Sequence, residues 1–216
     1  MTDRSPPTGP PSKVWGVPSR YHNATFGIFI HRGIYSVPAF GHEWYARQMY
    51  LPGHREHDHH RTTYGSQETF GYKDFIPKII ASAFDPNAWA QIFRSAGAKF
   101  TVPVAEHQDG FAMYATALSD WSAARMGPRR GLIGELASAV RNHGMTFGLS
   151  SHRAEHWWFY EGGWQAPSDV QDPRFAGRYG PAQPKTMPPD HAFLDDWLRR
   201  SCELVDRYEP QLFWFD

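Results

Sequence analysis

The strict alternation of short apolar segments with amphipathic stretches constrains the fold of this chain more than any other feature. Three stretches with helical signals lie between apolar segments that are too short for helices and do not alternate strictly with polar residues. Four such segments read as buried strands, over residues 25–31, 99–105, 146–151 and 211–216. The alternation predicts an α/β fold with a parallel sheet.

The helical stretches carry their own start and stop signals. Asp85 is a capping residue followed by Pro86, and this stretch ends at Gly97. The second stretch, residues 130–144, also ends in a glycine. The third, residues 189–210, offers five residues for its inner face: Phe193, Trp197, Cys202, Leu204 and Val205. We therefore expect Cys202, the single cysteine, to be buried.

Polar side chains lie at or directly after the end of every predicted strand. They are His31, then residues 106–109 with the sequence EHQD, then residues 150–152 with the sequence SSH, and finally Asp216. A dinucleotide-binding sheet would need a glycine fingerprint after an early strand, and the sequence has none. Functional groups at successive strand ends are typical of a (β/α)8 barrel. The sequence therefore predicts about the first four βα units of a TIM-like (β/α)8 barrel.

The amino-acid composition limits which classes of molecule this chain is expected to bind. The 22 basic and 22 acidic residues balance, so neither nucleic acid nor a membrane surface is expected as a partner. The 16% aromatic content suits a sugar-binding cleft, but it equally suits an aromatic-rich core. Residues 1–20 are rich in proline and lack the apolar run of a signal peptide, so we expect a disordered leader and a cytoplasmic location.

Several motifs resemble one known family in order and spacing. They are FGIFIHRGIYSVPAFGHEWYARQMY from Phe26, FGYKDF from Phe70, AEHQDGFAMY from Ala105 and LFWFD from Leu212. Together they resemble the α-L-fucosidases of glycoside hydrolase family 29 over residues 21–216. The resemblance implies a retaining exo-glycosidase that removes terminal α-L-fucose from fucosylated glycans through a covalent intermediate and needs no cofactor. Residues 21–216 would be the N-terminal half of its catalytic barrel.

The resemblance gives roles to three strand-end residues. Asp216 matches the nucleophile, whose carboxylate would form the fucosyl-enzyme intermediate. His31 matches a histidine that binds a fucose hydroxyl, and Trp214 matches a tryptophan that lines the fucose subsite. Residue types alone leave other roles open: a helix cap or solvated terminus for Asp216, a structural hydrogen bond for His31, and barrel filling for Trp214.

Four further residues match substrate contacts of the family. Glu43 and Trp44 match a pair that hydrogen-bonds and packs on the sugar; without the resemblance they read as a helix-start acid and a core aromatic. His107 and Gln108 match a His-His pair, and an amide can replace the hydrogen bonds of an imidazole but not its titration. The next two residues, Asp109-Gly110, are expected to form the turn after the strand.

Two regions depart from the family pattern or suggest another site. Serines at 150 and 151 stand where many relatives carry tyrosines, and neither His152 nor Glu155 can be assigned as a substitute. Residues 54–61, HREHDHHR, could bind a transition metal, but their spacing matches no zinc signature. We therefore predict no metal site and interpret this tract as a solvated loop near the rim.

The resemblance places the family's acid/base in a later part of the barrel than residue 216. We therefore expect this chain to carry the nucleophile without the proton donor. We also expect it to self-associate or to depend on a complementing C-terminal half, because its inner sheet face would be uncovered.

The sequence also leaves two other functions open. One is a fucose lectin without turnover, and the other is a metal-binding protein using residues 54–61.

Overall fold

A computed structural model describes residues 17–216, so the predicted leader over residues 1–20 lies almost wholly outside the described residues. Four parallel strands form one sheet in the order β1-β2-β3-β4. They span Gly27–Ile30 (β1), Phe100–Glu106 (β2), Thr146–Ser151 (β3) and Leu212–Phe215 (β4). Each strand pairs with its successor, as in the wall of a TIM-like barrel, and no strand-order reversal of a doubly wound sheet occurs among the described residues. The predicted fold class is confirmed.

The helices of the described residues lie between and before these strands. The α-helices are Ser19–His22 (α1), Tyr45–Gln48 (α2), Arg55–Thr63 (α3), Pro86–Ser95 (α4), Leu132–Asn142 (α5), His156–Phe159 (α6), Ala176–Tyr179 (α7) and His191–Tyr208 (α8). Short 3-10 helices span Ile34–Ser36, Tyr72–Lys78, Arg153–Glu155, Glu161–Trp164, Asp169–Gln171 and Pro173–Phe175. Within residues 17–216, none of the helices combines the length and hydrophobicity that crossing a bilayer requires.

The three long helices α4, α5 and α8 follow the signals in the sequence. The Asp85 carboxylate accepts hydrogen bonds from the backbone N–H groups of Asn87 and Ala88, at 2.9 and 3.0 Å, and so caps α4. Asp190 caps α8 in the same way through the N–H of Phe193. After α4, Gly97 adopts a φ of +92°, a conformation that glycine reaches without steric strain.

The inner face of α8 differs from the prediction. Phe193, Arg200, Leu204 and Tyr208 are its buried residues, and Trp197 is half-buried. Cys202 is exposed and so is Val205, so the predicted burial of these two residues was wrong. The helix is rotated so that Arg200 points inward. Cys202, two residues later, lies about 200° around the helix axis from Arg200 and therefore faces outward.

The two faces of the sheet have different environments. Helices cover the outer face, where Phe147 and Leu149 are fully buried. On the inner face, Phe29 and Trp214 are 42% and 48% exposed and contact each other edge-on, with ring centroids 6.0 Å apart. The inner apolar face of the sheet is thus open in this chain.

A buried carboxylate ties the end of β2 to its surroundings. The β2–β3 register shifts between Val104 and Glu106, and Glu106 is 1% exposed. It accepts hydrogen bonds from Arg153 at 2.9 Å and from Arg200 at 3.3 Å. Both guanidinium groups also donate to Asp196 on α8, each at 2.8 Å. Glu106, one of the strand-end polar residues, therefore serves this network.

We predict that Glu106→Gln lowers the free energy of unfolding by about 3–5 kcal/mol, because two buried guanidinium groups lose part of their compensating charge. Urea denaturation followed by circular dichroism measures the change. Glu135→Gln is the matched control, because Glu135 pairs with Arg130 at the surface and its loss is expected to change stability by less than about 1 kcal/mol. Equal effects of the two substitutions would contradict a central role for the buried network.

Candidate active site

Three histidines meet where β1, β2 and β3 end. The ring centroids of His107 and His152 lie 5.0 Å apart, and His31 lies 5.3 Å from His152 and 6.4 Å from His107. His107 and His152 are buried, whereas His31 is exposed. The parallel sheet places the carboxyl ends of neighbouring strands at one edge, and this brings together side chains that are far apart in sequence.

Asp216 joins this cluster from the end of β4. Its backbone N–H donates to the Ser151 carbonyl at 3.3 Å, which continues the ladder between β3 and β4. Its Oδ2 lies 3.3 Å from Nδ1 of His152, whose Nε2 lies 3.2 Å from the Ser150 hydroxyl. Burial lowers the pKa of His152 to about 4, although the Asp216 charge opposes this shift. A neutral imidazole therefore adjoins the carboxylate at pH 7.

Several polar atoms of this cluster and of the residues next to it are buried and have no hydrogen-bond partner among residues 17–216. They are both ring nitrogens of His107, Nδ1 of His152, the side-chain carbonyl of Gln108 and the Tyr35 hydroxyl. The Tyr35 ring lies 4.9 Å from the His107 ring. Burial, and then the charges of His152 and His31, hold the pKa of His107 well below its usual range, so its neutral ring offers one donor and one acceptor. Buried polar groups in native proteins are nearly always paired with protein groups, water or a ligand, so these atoms are candidates for ligand contacts.

The backbone between His107 and Gly110 forms the predicted turn. The Gly110 N–H donates to the His107 carbonyl at 2.9 Å, and Gly110 has a φ of +77°. A Cβ at this glycine would come within 2.5 Å of the His156 ring, so only glycine fits. The buried Asp109 carboxylate accepts from Tyr72 and from the N–H of Phe111. Asp109 thus stabilises the turn, as predicted.

The remaining predicted site residues lie in different surroundings. Glu43 precedes α2, and its side chain is 45% exposed. Burial is the main cause of the pKa shifts of Tyr35 and His152. The Glu43 charge is a smaller cause of both shifts, after that of Asp109 for Tyr35 and after those of Asp216 and His31 for His152. Trp44 packs instead against the aromatic rings of α6, 5.9 Å from Trp158. Trp214 lies on the open inner face of the sheet.

The histidine-rich tract is not the solvated loop that the sequence suggested. It forms α3, in which His59 stacks on Phe40 at 3.8 Å between ring centroids. The Nε2–H of the buried His60 donates to the Phe70 carbonyl at 2.7 Å, and burial lowers the pKa of His60 to about 4. Within the described part of the chain, no group of three or more His, Cys, Asp or Glu side chains is arranged to hold a metal ion.

His152 is the functional candidate that sequence reasoning could not assign. The signal is its spacing: it follows Ser150 by two residues, and alternate residues of a strand share a face. Since Ser150 is small, the His152 ring can contact both Asp216 and His31. The family motifs gave no role to this position, so only the geometry identifies it.

Comparison with known proteins identifies relatives over nearly the whole chain. The family model described as Alpha-L-fucosidase matches residues 6–216. Tissue alpha-L-fucosidase of Rattus norvegicus is 33% identical over 93% of this chain, which spans 39% of that protein. The Thermotoga maritima alpha-fucosidase, solved with a mechanism-based inhibitor and also with fucose, is 32% identical with a TM-score of 0.75. That match covers 93% of this chain and 47% or 46% of the solved chains.

We predict that His60 and His152 stay neutral down to about pH 4, because both rings are buried. Ring ¹⁵N shifts recorded from pH 7 to pH 3.5 measure this directly. The unfolded chain takes up these protons near pH 6.5, so each group makes stability fall as pH drops from about 6.5 to about 4. Midpoints near 6.5 for both rings would contradict the buried, uncharged cluster.

Proposed function

Because the chain belongs to the alpha-L-fucosidase family, we propose that it supplies the nucleophile and the fucose-binding wall of a retaining α-L-fucosidase. The chain spans 39% to 41% of the length of the curated relatives that it matches. The activity and substrate are therefore proposed from the site. The substrate class is a glycan or glycoconjugate with a terminal α-linked L-fucose.

One observation carries this proposal: buried polar atoms without partners lie at or beside the ends of the strands, the edge of the sheet where Asp216 places its carboxylate. A sugar is a dense set of hydroxyl groups, each of which can donate and accept hydrogen bonds. Fucose bound here would pair with the ring nitrogens of His107 and the carbonyl of Gln108. Each buried polar group left unpaired costs about 1–3 kcal/mol, so the site favours a polyhydroxylated ligand over an apolar one.

The proposed chemistry starts at Asp216. One carboxylate oxygen attacks the anomeric carbon, the bond from that carbon to the glycosidic oxygen breaks, and the departing oxygen takes a proton from a second carboxyl group. Water then attacks the same carbon and gives a proton to that second carboxyl group, which is ionised after the first step, while the bond to Asp216 breaks, so fucose is released and both carboxyl groups are restored. Both steps invert configuration, so the net result is retention.

His152 fits this chemistry as a neutral neighbour of the nucleophile. Nδ1 of His152 lies 3.3 Å from Oδ2 of Asp216 but makes no hydrogen bond in this geometry. An Nδ1–H at this position is proposed to donate to the carboxylate when the sugar is bound. An imidazolium would attract the electron pair that must attack the anomeric carbon. Burial keeps the His152 pKa at about 4, which avoids that competition at neutral pH.

The other predicted residues are proposed as substrate contacts. His31 closes the cluster from its exposed side, and Glu43 adds a negative charge near Tyr35. Trp214 is proposed to meet the apolar face of fucose around its C6 methyl, and Trp44 is proposed to support the wall through α6. The proton donor is proposed to lie outside these 216 residues, because the family resemblance puts it in a later part of the barrel.

We predict that a 2-deoxy-2-fluoro-α-L-fucosyl fluoride labels Asp216, because an activated leaving group needs no proton donor. Intact-mass and peptide mass spectrometry would show one adduct on the peptide that contains Asp216. Asp216→Asn is expected to remove the adduct. Asp195→Asn, at an exposed position on α8, is the matched control and is expected to keep it.

The outcome separates the enzyme from the lectin alternative. Fucose binding without any adduct would contradict the nucleophile assignment and favour a binding module. An adduct on a different residue would place the reactive carboxylate elsewhere. Loss of labelling in Asp195→Asn as well would show that the reaction depends on overall folding and not on Asp216.

A further inference from the structure

The Gln108 side chain is held in one orientation. It is 2% exposed, and its Nε2 donates a hydrogen bond to Oε2 of Glu155 at 3.0 Å. An ionised carboxylate can only accept hydrogen bonds, so the NH₂ end of the amide is committed to Glu155. The opposite end, Oε1, is buried and has no donor among the described residues.

Glu155 is itself fixed by residues on both sides. It ends the short 3-10 helix Arg153–Glu155, in which Arg153 is bound to Glu106 and Asp196. The following residue, His156, lies with its Nδ1 2.9 Å from the Gln108 backbone carbonyl. The segment after β3 therefore holds both the main chain and the side chain of Gln108.

A flipped amide is unfavourable in this arrangement. Rotation by 180° would bring Oε1 of Gln108 against the Glu155 carboxylate, and two acceptors would face each other without a proton between them. A charge-assisted hydrogen bond would be lost at the same time. The Glu155 carboxylate thus decides which end of the Gln108 amide is left for a ligand.

On the basis of the proposed function, we propose that Glu155 is a positioning residue that makes Gln108 an acceptor-only contact, so that the fucose hydroxyl bound there must donate. A neutral histidine at the same position could donate or accept according to its tautomer. The Gln108–Glu155 pair fixes this choice. The site should therefore discriminate against a sugar in which that hydroxyl is replaced by fluorine, since fluorine cannot donate.

Monofluorinated sugars test this inference. Dissociation constants for L-fucose and for its 2-, 3- and 4-deoxyfluoro derivatives would be measured on the full chain by ligand-observed NMR. We expect one derivative to bind the unsubstituted chain about tenfold more weakly than fucose, the factor that corresponds to one hydrogen bond of about 1.4 kcal/mol. For Glu155→Gln we expect this ratio to fall to about threefold or less, because the new amide can donate to Oε1 and lets Gln108 turn its NH₂ group to the ligand.

Two further variants complete the test. Glu68→Gln, at an exposed position, is the matched control and should keep the ratio of the unsubstituted chain. Glu155→Ala removes the carboxylate without adding a donor, and it is expected to lower the ratio even if Glu155→Gln does not fold. A purely structural role for Glu155 would weaken all four sugars equally and leave the ratio unchanged.

The experiment distinguishes failure of the proposed function from failure of the inference about Glu155. If the unsubstituted chain binds no fucose, either alone or with a complementing C-terminal half supplied, the proposed function itself fails. If it binds fucose but rejects none of the fluorinated sugars, or if both Glu155 variants keep the discrimination, the inference about Glu155 is overturned and the proposed function stands.

Discussion

The arrangement of the site depends on one buried carboxylate. Glu106 ends β2 beyond a shift in register and pairs with two arginines, one from the segment after β3 and one from α8. Because Glu106 is directed into this network, the next residue, His107, lies against His31 and His152. Arg153, the partner of Glu106 in the segment after β3, precedes Glu155 by two residues. The Glu106–Arg153 pair therefore also orders the segment that holds Gln108. A charge network behind the sheet therefore fixes the polar groups at its edge.

Burial keeps the histidine rings at this edge of the sheet uncharged at neutral pH. His107, His152 and His156 all have pKa values below the usual range, chiefly because their rings are removed from water. Asp216 adds a carboxylate beside His152 at the end of β4. The proposed active site is thus a set of neutral hydrogen-bonding rings beside one carboxylate, which suits a hydroxylated substrate.

The sequence predicted the strands, the caps of α4 and α8 and the turn at Gly110, because these depend on local patterns of apolar, capping and glycine residues. On α8 it correctly predicted the burial of Phe193 and Leu204 but wrongly predicted that of Cys202 and Val205, since the rotation of that helix is set by the distant pairing of Arg200 with Glu106. It misjudged the histidine-rich tract because packing of His59 and His60 against aromatic rings leaves no local signal. The role of His152 was hidden for a similar reason: its partner Asp216 is on another strand. The sequence could not predict the pairings of charged and aromatic side chains that are far apart along the chain.

A crystal structure of this chain with a fucose-configured iminosugar tests the central claim most directly, because the protonated ring nitrogen stands in for the positive charge that develops at the sugar ring in the transition state. We expect that nitrogen within about 3 Å of the Asp216 carboxylate, as in a charge-assisted hydrogen bond. The hydroxyl groups should meet His107 and the carbonyl end of Gln108. An iminosugar bound away from the four strand ends, or bound there with Asp216 turned away and His107 still unpaired, would contradict the account.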